Sequence, residues 1–251
     1  TTTFDYDTLD DLRSVTDAYG ATTWFAYDAW HNVIRETLPA PGTGQHAAPV
    51  IERTYDAAGQ LLQVREGGAD QWRVTDYVYD GLGRLAQRRN SSDQVTASYY
   101  YAGKRLTYLV EGSNEVTFQW GAGEPLSQIQ GGNAYWYVFD SLGNVVGLLD
   151  DDNDLVAKYV YDAWGNEAST SFDNLTVKNP LRYRGAEGYL HLYGPDACRG
   201  WSLYLAGARV YHTGVGRWLT EDPLLGNLGD PMSFNRYLYT NANPVDYSAN
   251  Y

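Results

Sequence analysis

Asp150-Asp151-Asp152-Asn153-Asp154 places four carboxylates and an amide in a row, and oxygen donors in such a run suit a calcium ion. A calcium loop of the helix-flanked kind beginning at Asp150 needs glycine at its sixth place and a bidentate glutamate at its twelfth, where this chain has Leu155 and Tyr161. The run is therefore expected to cap an exposed hairpin, and no metal site is expected. His31, His46, His191 and His212 lie far apart without metal-ligand spacing, so they suggest no zinc centre. Cys198 is the one cysteine; it excludes a disulfide within the chain, and nothing beside it marks an activated thiol. A single methionine and scattered leucines supply no apolar cofactor pocket, and no cofactor is expected.

Composition narrows the classes further. The 251 residues carry 31 acidic against 18 basic side chains, a net charge of −13, and no basic stripe that could follow a phosphate backbone. No run of about 18 apolar residues exists to span a bilayer as a helix. Mean hydropathy is −0.47, yet there are 23 tyrosines and 8 tryptophans. Such rings suit a sheet that is wet on one face, where the ring packs and its O–H or N–H finds a partner. Aromatic ladders between strands are the expected cohesion.

What positions these rings is a repeat. The phrase aromatic-Asp-x-x-Gly-(Asn/Arg/Gln)-aliphatic occurs at Tyr55–Leu61, Tyr79–Leu85 and Phe139–Val145, with looser copies from Tyr6, Tyr27, Tyr100, Trp120 and Tyr161. The eight starts are 19 to 24 residues apart, except for one interval of 28 that contains a proline-rich loop insertion at 39–49. A fixed period means that one small unit is stacked and buries its apolar face only against its neighbours. Aspartate can accept a backbone N–H two residues on, and glycine three residues after it takes the left-handed conformation without a Cβ clash. The pairs Asp56 and Gly59, Asp80 and Gly83, Asp140 and Gly143, and Asp162 and Gly165 thus specify three-residue hairpin loops. Asp10 and His31, which fill the glycine place in the first two copies, are residue types that tolerate positive φ. Gly103 and Gly123 come one place early and predict tighter loops. Between loops the chain alternates with period two: Thr75, Tyr77 and Tyr79 share one face, and so do Val116, Phe118 and Trp120. The expected fold class is all-β: repeated antiparallel hairpins pairing edge to edge into a curved or spiralling sheet, with strands about 20 to 30 Å long.

After Phe172 the grammar changes. Asn179-Pro180-Leu181-Arg182-Tyr183-Arg184-Gly185 is followed by Leu203–Tyr211, then Gly216-Arg217-Trp218-Leu219-Thr220-Glu221-Asp222-Pro223, then Asn235-Arg236-Tyr237-Leu238-Tyr239 and Asn243-Pro244. The repeats resemble YD repeats, and this ordered set of motifs resembles the Rhs repeat-associated core, interrupted by an apparent insertion at Glu187–Trp201. Two regions are expected, a hairpin array over 1–172 and a truncated core-like segment over 173–251. The resemblance implies a strip of hairpins forming the wall of a hollow shell, as in Rhs polymorphic toxins, insecticidal toxin complex C components and teneurins, with the core plugging one end. It implies a secreted or surface protein that encloses or displays a downstream toxin or cargo segment.

In the toxin families the core is also an aspartyl autoprotease, whose chemistry needs two carboxylates sharing a proton. Carried over by motif, Asp222 is the first carboxylate and Arg209 the arginine beside it. The second would begin an Asp-Pro pair five residues after Pro244, where the chain has Ala249-Asn250 instead, and Asp246 stands outside that register. No peptide cleavage is expected, and a turn role suits Asp222 better. The family also suggests carbohydrate binding by rows such as Tyr99-Tyr100-Tyr101 and Tyr135-Trp136-Tyr137, against which stands their fit to packing between hairpins. Eight hairpins are too few to close a large shell, so exposed edges and self-association through them are expected. Thr1 falls just before a repeat, so the chain reads as a piece of something longer, and the lack of a signal peptide says nothing.

Overall fold

The computed structural model describes residues 1–40, 48–68, 71–168, 171, 176–192, 202–222, 226, 229 and 231–245. His46, Cys198, Asp246, Ala249 and Asn250 lie outside them. The first fifteen strands are β1 (Thr3–Tyr6), β2 (Leu12–Thr16), β3 (Thr22–Tyr27), β4 (Val33–Thr37), β5 (Val50–Tyr55), β6 (Leu61–Gly68), β7 (Gln71–Tyr79), β8 (Leu85–Asn90), β9 (Val95–Ala102), β10 (Arg105–Glu111), β11 (Asn114–Trp120), β12 (Pro125–Gln130), β13 (Asn133–Phe139), β14 (Val145–Leu149) and β15 (Leu155–Lys158). They form one antiparallel sheet in strict chain order, with β1 and β15 at its two ends. The fold is all-β, built of stacked hairpins.

Each full phrase makes the same loop. Asp56 N–H donates to Gln60 O at 3.0 Å, and Gly59 N–H donates to Asp56 O at 3.1 Å. Asp56 Oδ1 accepts the N–H groups of Ala58 and Gln60, both at 2.8 Å. Asp7, Asp28, Asp80, Asp140 and Asp162 each accept the same two donors of their own loops. Left-handed φ values at Gly59, Gly83, Gly143 and Gly165 run from 76° to 85°, and Asp10 and His31 hold 63° and 62° in the same place. Asp17, Asn90 and Asp150 repeat the device at the opposite rim, with Asn153 at φ 64°. The acidic run at 150–154 is one of these loops.

The phrase aromatic ties each hairpin to the one before it. Tyr27, Tyr55, Tyr79, Tyr101 and Tyr161 donate their hydroxyls at 2.8 to 3.0 Å to the carbonyls of Leu12, Val33, Leu61, Leu85 and Val145, each the first residue of the preceding return strand. Trp120 does the same with its indole N–H, to Leu106 O at 2.7 Å. Burial raises the phenols of Tyr27, Tyr79 and Tyr101, which keeps the donated proton in place. Tyr101, and not Tyr100, occupies the phrase place in the fifth copy, because its loop is cut to the two residues Gly103 and Lys104 between paired Ala102 and Arg105. Gln60 Nε2 reaches Gly83 O at 2.9 Å, and Arg84 reaches Gly103 O, so the residue after the glycine braces one loop against the next.

The acceptor residues Leu12, Val33, Leu61, Leu85 and Val145 are themselves buried and line up across the sheet as the spine of the core. Ring-on-ring ladders are sparse along the strip: Tyr100 with Tyr108 and Tyr137 with Phe139 are two such pairs among the described residues. Here the tyrosine acts through its hydroxyl more than through stacking. Stacked rings concentrate instead in the carboxyl-terminal segment, where Tyr211 and Tyr239 lie 3.9 Å apart and Tyr183, Tyr204 and Trp218 pack around them.

That segment forms a second sheet, β16 (Leu190–His191), β17 (Leu203–Ala206), β18 (Arg209–His212) and β19 (Arg217–Trp218). Its Leu190, Leu203, Leu205 and Val210 join Ile51, Leu61, Leu85 and Leu109 of the strip in one apolar cluster. Val145 N–H donates to Arg182 O at 2.9 Å, Ala186 N–H to Gly143 O at 3.0 Å, and Tyr237 Oη to Trp30 O at 3.0 Å. The segment therefore grips the strip near both of its ends.

Two stability outcomes follow from this packing. Tyr79→Phe loses one buried hydrogen bond and should cost about 0.5 to 1.5 kcal/mol in urea unfolding. Gly165→Ala and Gly20→Ala share the left-handed backbone cost, at φ 85° and 84°, but an added Cβ at 165 meets the Tyr183 ring at 2.8 Å while one at 20 meets nothing within 4 Å. The midpoint of thermal unfolding should fall further for Gly165→Ala.

Candidate functional site

Arg209 and Asp222, far apart in the repeat grammar, are brought together by the turn of β18 into β19. Arg209 lays its guanidinium over the Trp218 ring, 4.0 Å from the centroid, and forms an ion pair with Asp222. Stacking on one face leaves the planar fork free to meet a carboxylate edge-on. Asp222 N–H donates to Arg236 O at 2.9 Å, Arg236 Nε donates back to Asp222 O, and Arg236 pairs with Glu221. Asp222 is thus a fastening point between the start of β18 and the segment before Tyr237.

This pair borders a cavity of about 700 Å³ between the rim of the strip and the second sheet. Leu85 and Tyr101 line it from the strip, and Glu187, Leu190, Arg209 and Asp222 from the core. The short loop at Gly103 lies on its wall. Glu187 is a second carboxylate in the same cavity that the sequence grammar did not single out. Burial raises its carboxyl above the usual range, against the pull of Arg184 at 3.3 Å. Nothing in the repeat or core motifs marks a glutamate there; its only signal is the turn Gly185-Ala186-Glu187-Gly188 next to Arg184. Each of the two carboxylates faces its own arginine. A carboxylate so placed accepts hydrogen bonds, whereas peptide hydrolysis by carboxylates needs two that share one proton. Asp56, Asp80, Asp140 and Asp162 lie in the loops described above, away from any such arrangement.

A second cluster joins the two sheets through charge. Glu36 of β4 pairs with Arg53 of β5 at 2.9 Å and meets His212 of β18 at 3.5 Å, with all three side chains at most 1 % exposed. Gly214 N–H donates to His212 Nδ1 at 3.1 Å, so a neutral ring carries its proton on Nε2, facing Glu36. Burial pushes the Glu36 carboxyl up, but His212 and Arg53 outweigh it and leave the carboxyl below its ordinary value. His191 is also buried and bonded to Ser202 Oγ at 3.1 Å, and burial together with the Arg182 and Arg88 charges pushes its imidazole well down. His31, in a loop, pairs with Asp11 at 2.6 Å. Among the described residues no three His, Cys, Asp or Glu side chains are arranged to hold a metal ion.

A strip of YD hairpins with its far segment folded onto one face defines the wall of a YD-repeat shell. The teneurin YD-shell family model matches residues 1–245, and the chain belongs to that family. It is 34% identical over 197 residues to the tRNA3(Ser)-specific nuclease WapA of Bacillus spizizenii, and 36% identical over 197 residues to the tRNA nuclease WapA of Bacillus subtilis; each match covers 76% of this chain and 8% of the relative. It is 28% identical over 211 residues to Teneurin-3 of Danio rerio, a match covering 80% of this chain and 7% of that protein. The chain therefore spans less than a tenth of the length of these relatives. The crystal structure of TcdB2-TccC3 without its hypervariable carboxyl-terminal region aligns over 99% of this chain and 16% of that one, at 14% identity and a TM-score of 0.43. No helix among the described residues is long and apolar enough to cross a membrane.

Glu36→Gln removes the buried carboxylate that pairs with Arg53 and should destabilise the chain by about 3 to 5 kcal/mol. Glu52→Gln, in the open pair with Arg65, should stay within about 1 kcal/mol. Because the folded carboxyl of Glu36 lies below its unfolded value, its contribution is complete above the unfolded value of about 4.3 and is lost as pH falls through the folded one. Urea midpoints from pH 7 down to 3 should show Glu36→Gln converging on wild type at the acid end.

Proposed function

We propose that this chain is wall and inner cap of a shell, residues 1–172 forming the wall and 173–251 the cap, in a secreted or surface-delivered protein that encloses or displays a downstream toxin or cargo segment. The observation that carries this reading is the cap's grip on the strip at Trp30 and at Gly143–Val145, which ties an otherwise open row of hairpins near both ends to one segment. The nuclease activity in the names of the WapA relatives is then an attribute of cargo elsewhere in a longer polypeptide. A chain of net charge −13 without a basic stripe is ill suited to hold RNA itself. No peptide cleavage is assigned to Asp222, which is held in an ion pair by Arg209 and whose second carboxylate is missing from the motif register at Ala249-Asn250.

In a polypeptide extended naturally past Tyr251, added protease should spare the downstream segment while the wall is intact and digest it once Glu36→Gln loosens the cap. Equal digestion in both would remove the enclosure. Intact mass of the same polypeptide should show no self-cleavage, with or without Asp222→Asn.

A glycan-binding surface has one observation in its favour. Trp136 and Tyr100 are about half exposed on the sheet, and Tyr108 lies 5.6 Å from Tyr100. If these rings bind sugar, Trp136→Ala should abolish retention on a glycan array while leaving the unfolding midpoint within about 0.5 kcal/mol of wild type.

A further inference from the structure

The cap holds the strip with two parts that meet at a buried histidine. Residues 176–189 form an arm fastened to β12 and β14: Gln128 Nε2 donates to Lys178 O, Asn144 Oδ1 accepts Arg184 N–H, and Val145 N–H donates to Arg182 O. The second sheet is fastened toward the other end, where His212 of β18 meets Glu36 of β4 at 3.5 Å. Arm and sheet join at β16. Leu190 bridges Leu181, and His191 N–H donates to Pro180 O at 2.7 Å. The His191 ring is buried on the face that carries its pair partner Tyr204, 5.2 Å away, and Tyr204 in turn packs 5.8 Å from Tyr183 of the arm. The charges acting on this ring are both positive, Arg182 of the arm and Arg88 of β8. Each arginine already holds its own carboxylate, Glu167 for Arg182 and Glu111 for Arg88, and those carboxylates are more exposed than the guanidiniums they meet. The phenols around them, Tyr77 and Tyr99 by Arg88, Tyr159 by Arg182 and Tyr204 by His191, carry no charge near neutral pH. His212 has the opposite setting, with a buried carboxylate against it.

We infer that the joint between the arm and the second sheet is an acid-opened clasp in which His191 takes the proton. A protonated ring in the closed joint would be a third positive charge in a dry interior. Parting the arm from the sheet relieves it, because water then reaches the ring and Arg182 moves away with the arm. Burial and the two arginines hold the imidazole well below its ordinary value of 6.5 while the joint is closed, so the proton is taken up on opening. The closed joint is therefore at full strength above about pH 6.5 and weakens as pH falls toward the folded value. When it opens, the arm stays on β12 and β14 and the sheet stays on β4, so the two parts of the strip are no longer tied through the cap. The hairpins persist, since their bonds are local main-chain ladders. The clasp rests on this packing and not on what the wall encloses.

The amide of residue 191, bonded to Pro180 O across the joint, reads the clasp directly. In the whole chain its hydrogen-exchange protection, corrected for the pH dependence of chemical exchange, should fall about tenfold from pH 7 to 5.5, near the limit for one proton taken up on opening. Amides of β10 should keep theirs, and His191→Gln should keep its residue 191 protection level across the same span. Whole-chain urea midpoints are a poorer gauge, because the hydrogen bond to Asp11 raises His31 and strengthens the fold in acid over the same range. A flat profile at residue 191 in wild type, or the same fall in His191→Gln, would overturn the clasp. An equal fall across β10 would mean that the whole chain unfolds, and the joint would lose its role as the place that opens. Where His191→Gln does not fold, the ring-carbon shifts of wild-type His191 decide: a ring still neutral in the folded chain at pH 5.5 supports the sensor, and one already protonated at pH 6.5 refutes it.

Discussion

The structure depends on one oxygen in each repeat that carries the phrase aspartate. Oδ1 of each phrase aspartate gathers two N–H groups of its own loop, and with the left-handed residue that follows, it returns the strand at a fixed place. The bond is local, so it does not care how long the intervening strands are, which in this sheet range from four to nine residues. Local closure alone would give independent hairpins, and isolated hairpins are marginal in water. The phrase aromatic removes that independence. Its donated proton ends on a carbonyl at the start of the previous return strand, where the apolar spine of the core also begins. Turn, register and burial are thus set by adjacent residues of one short phrase.

The second constraint is how a sheet with only neighbour contacts receives a long-range partner. Polar side chains on the core face of the strip meet the backbone of the cap: Gln128 Nε2 donates to Lys178 O at 2.9 Å, Gln130 Oε1 accepts Lys178 N–H at 2.8 Å, and Asn144 Oδ1 accepts Arg184 N–H at 2.9 Å. Apolar contact would allow the cap to slide along the strip, whereas each amide admits one position. The buried Glu36, Arg53 and His212 cluster acts in the same sense, since a displaced cap would take His212 away from the buried Glu36 carboxylate. These groups specify where the cap sits more than they add to its adhesion.

The fold class was legible because its cause is local. Asp, Gly and the aromatic sit within five residues of one another, and alternation reveals the strands between. Legibility failed where a cause lay elsewhere in the chain. Tyr100 and Tyr101 are equivalent by type, and only the shortened loop at Gly103 decides that the second one reaches Leu85. Asp17 and Asn90 cap loops at the opposite rim but lack the aromatic before them, so the phrase did not find them. Aromatic richness suggested ladders of rings, and the strip has stacked pairs such as Tyr137 with Phe139 and Tyr159 with Tyr161, but its phrase tyrosines also act as hydrogen-bond donors. Glu36 and Arg53 look like ordinary strand residues, and their burial becomes visible only once His212 is laid across them. The meeting of Arg209 with Asp222 was expected from family resemblance alone, and Glu187 in the same cavity was not foreseen.

Strict chain order in the large sheet sets how the molecule would yield under load. Tension applied at Thr1 would peel the first hairpin alone, like a zip, because nothing beyond β3 shares a ladder with it. The Tyr237 contact to Trp30, spanning 207 residues, then converts peeling into shear, since the next hairpin is tied to the cap. The same asymmetry applies during synthesis: hairpins can set one by one as they leave the ribosome, but the latch that turns them from a ribbon into a rigid body arrives last.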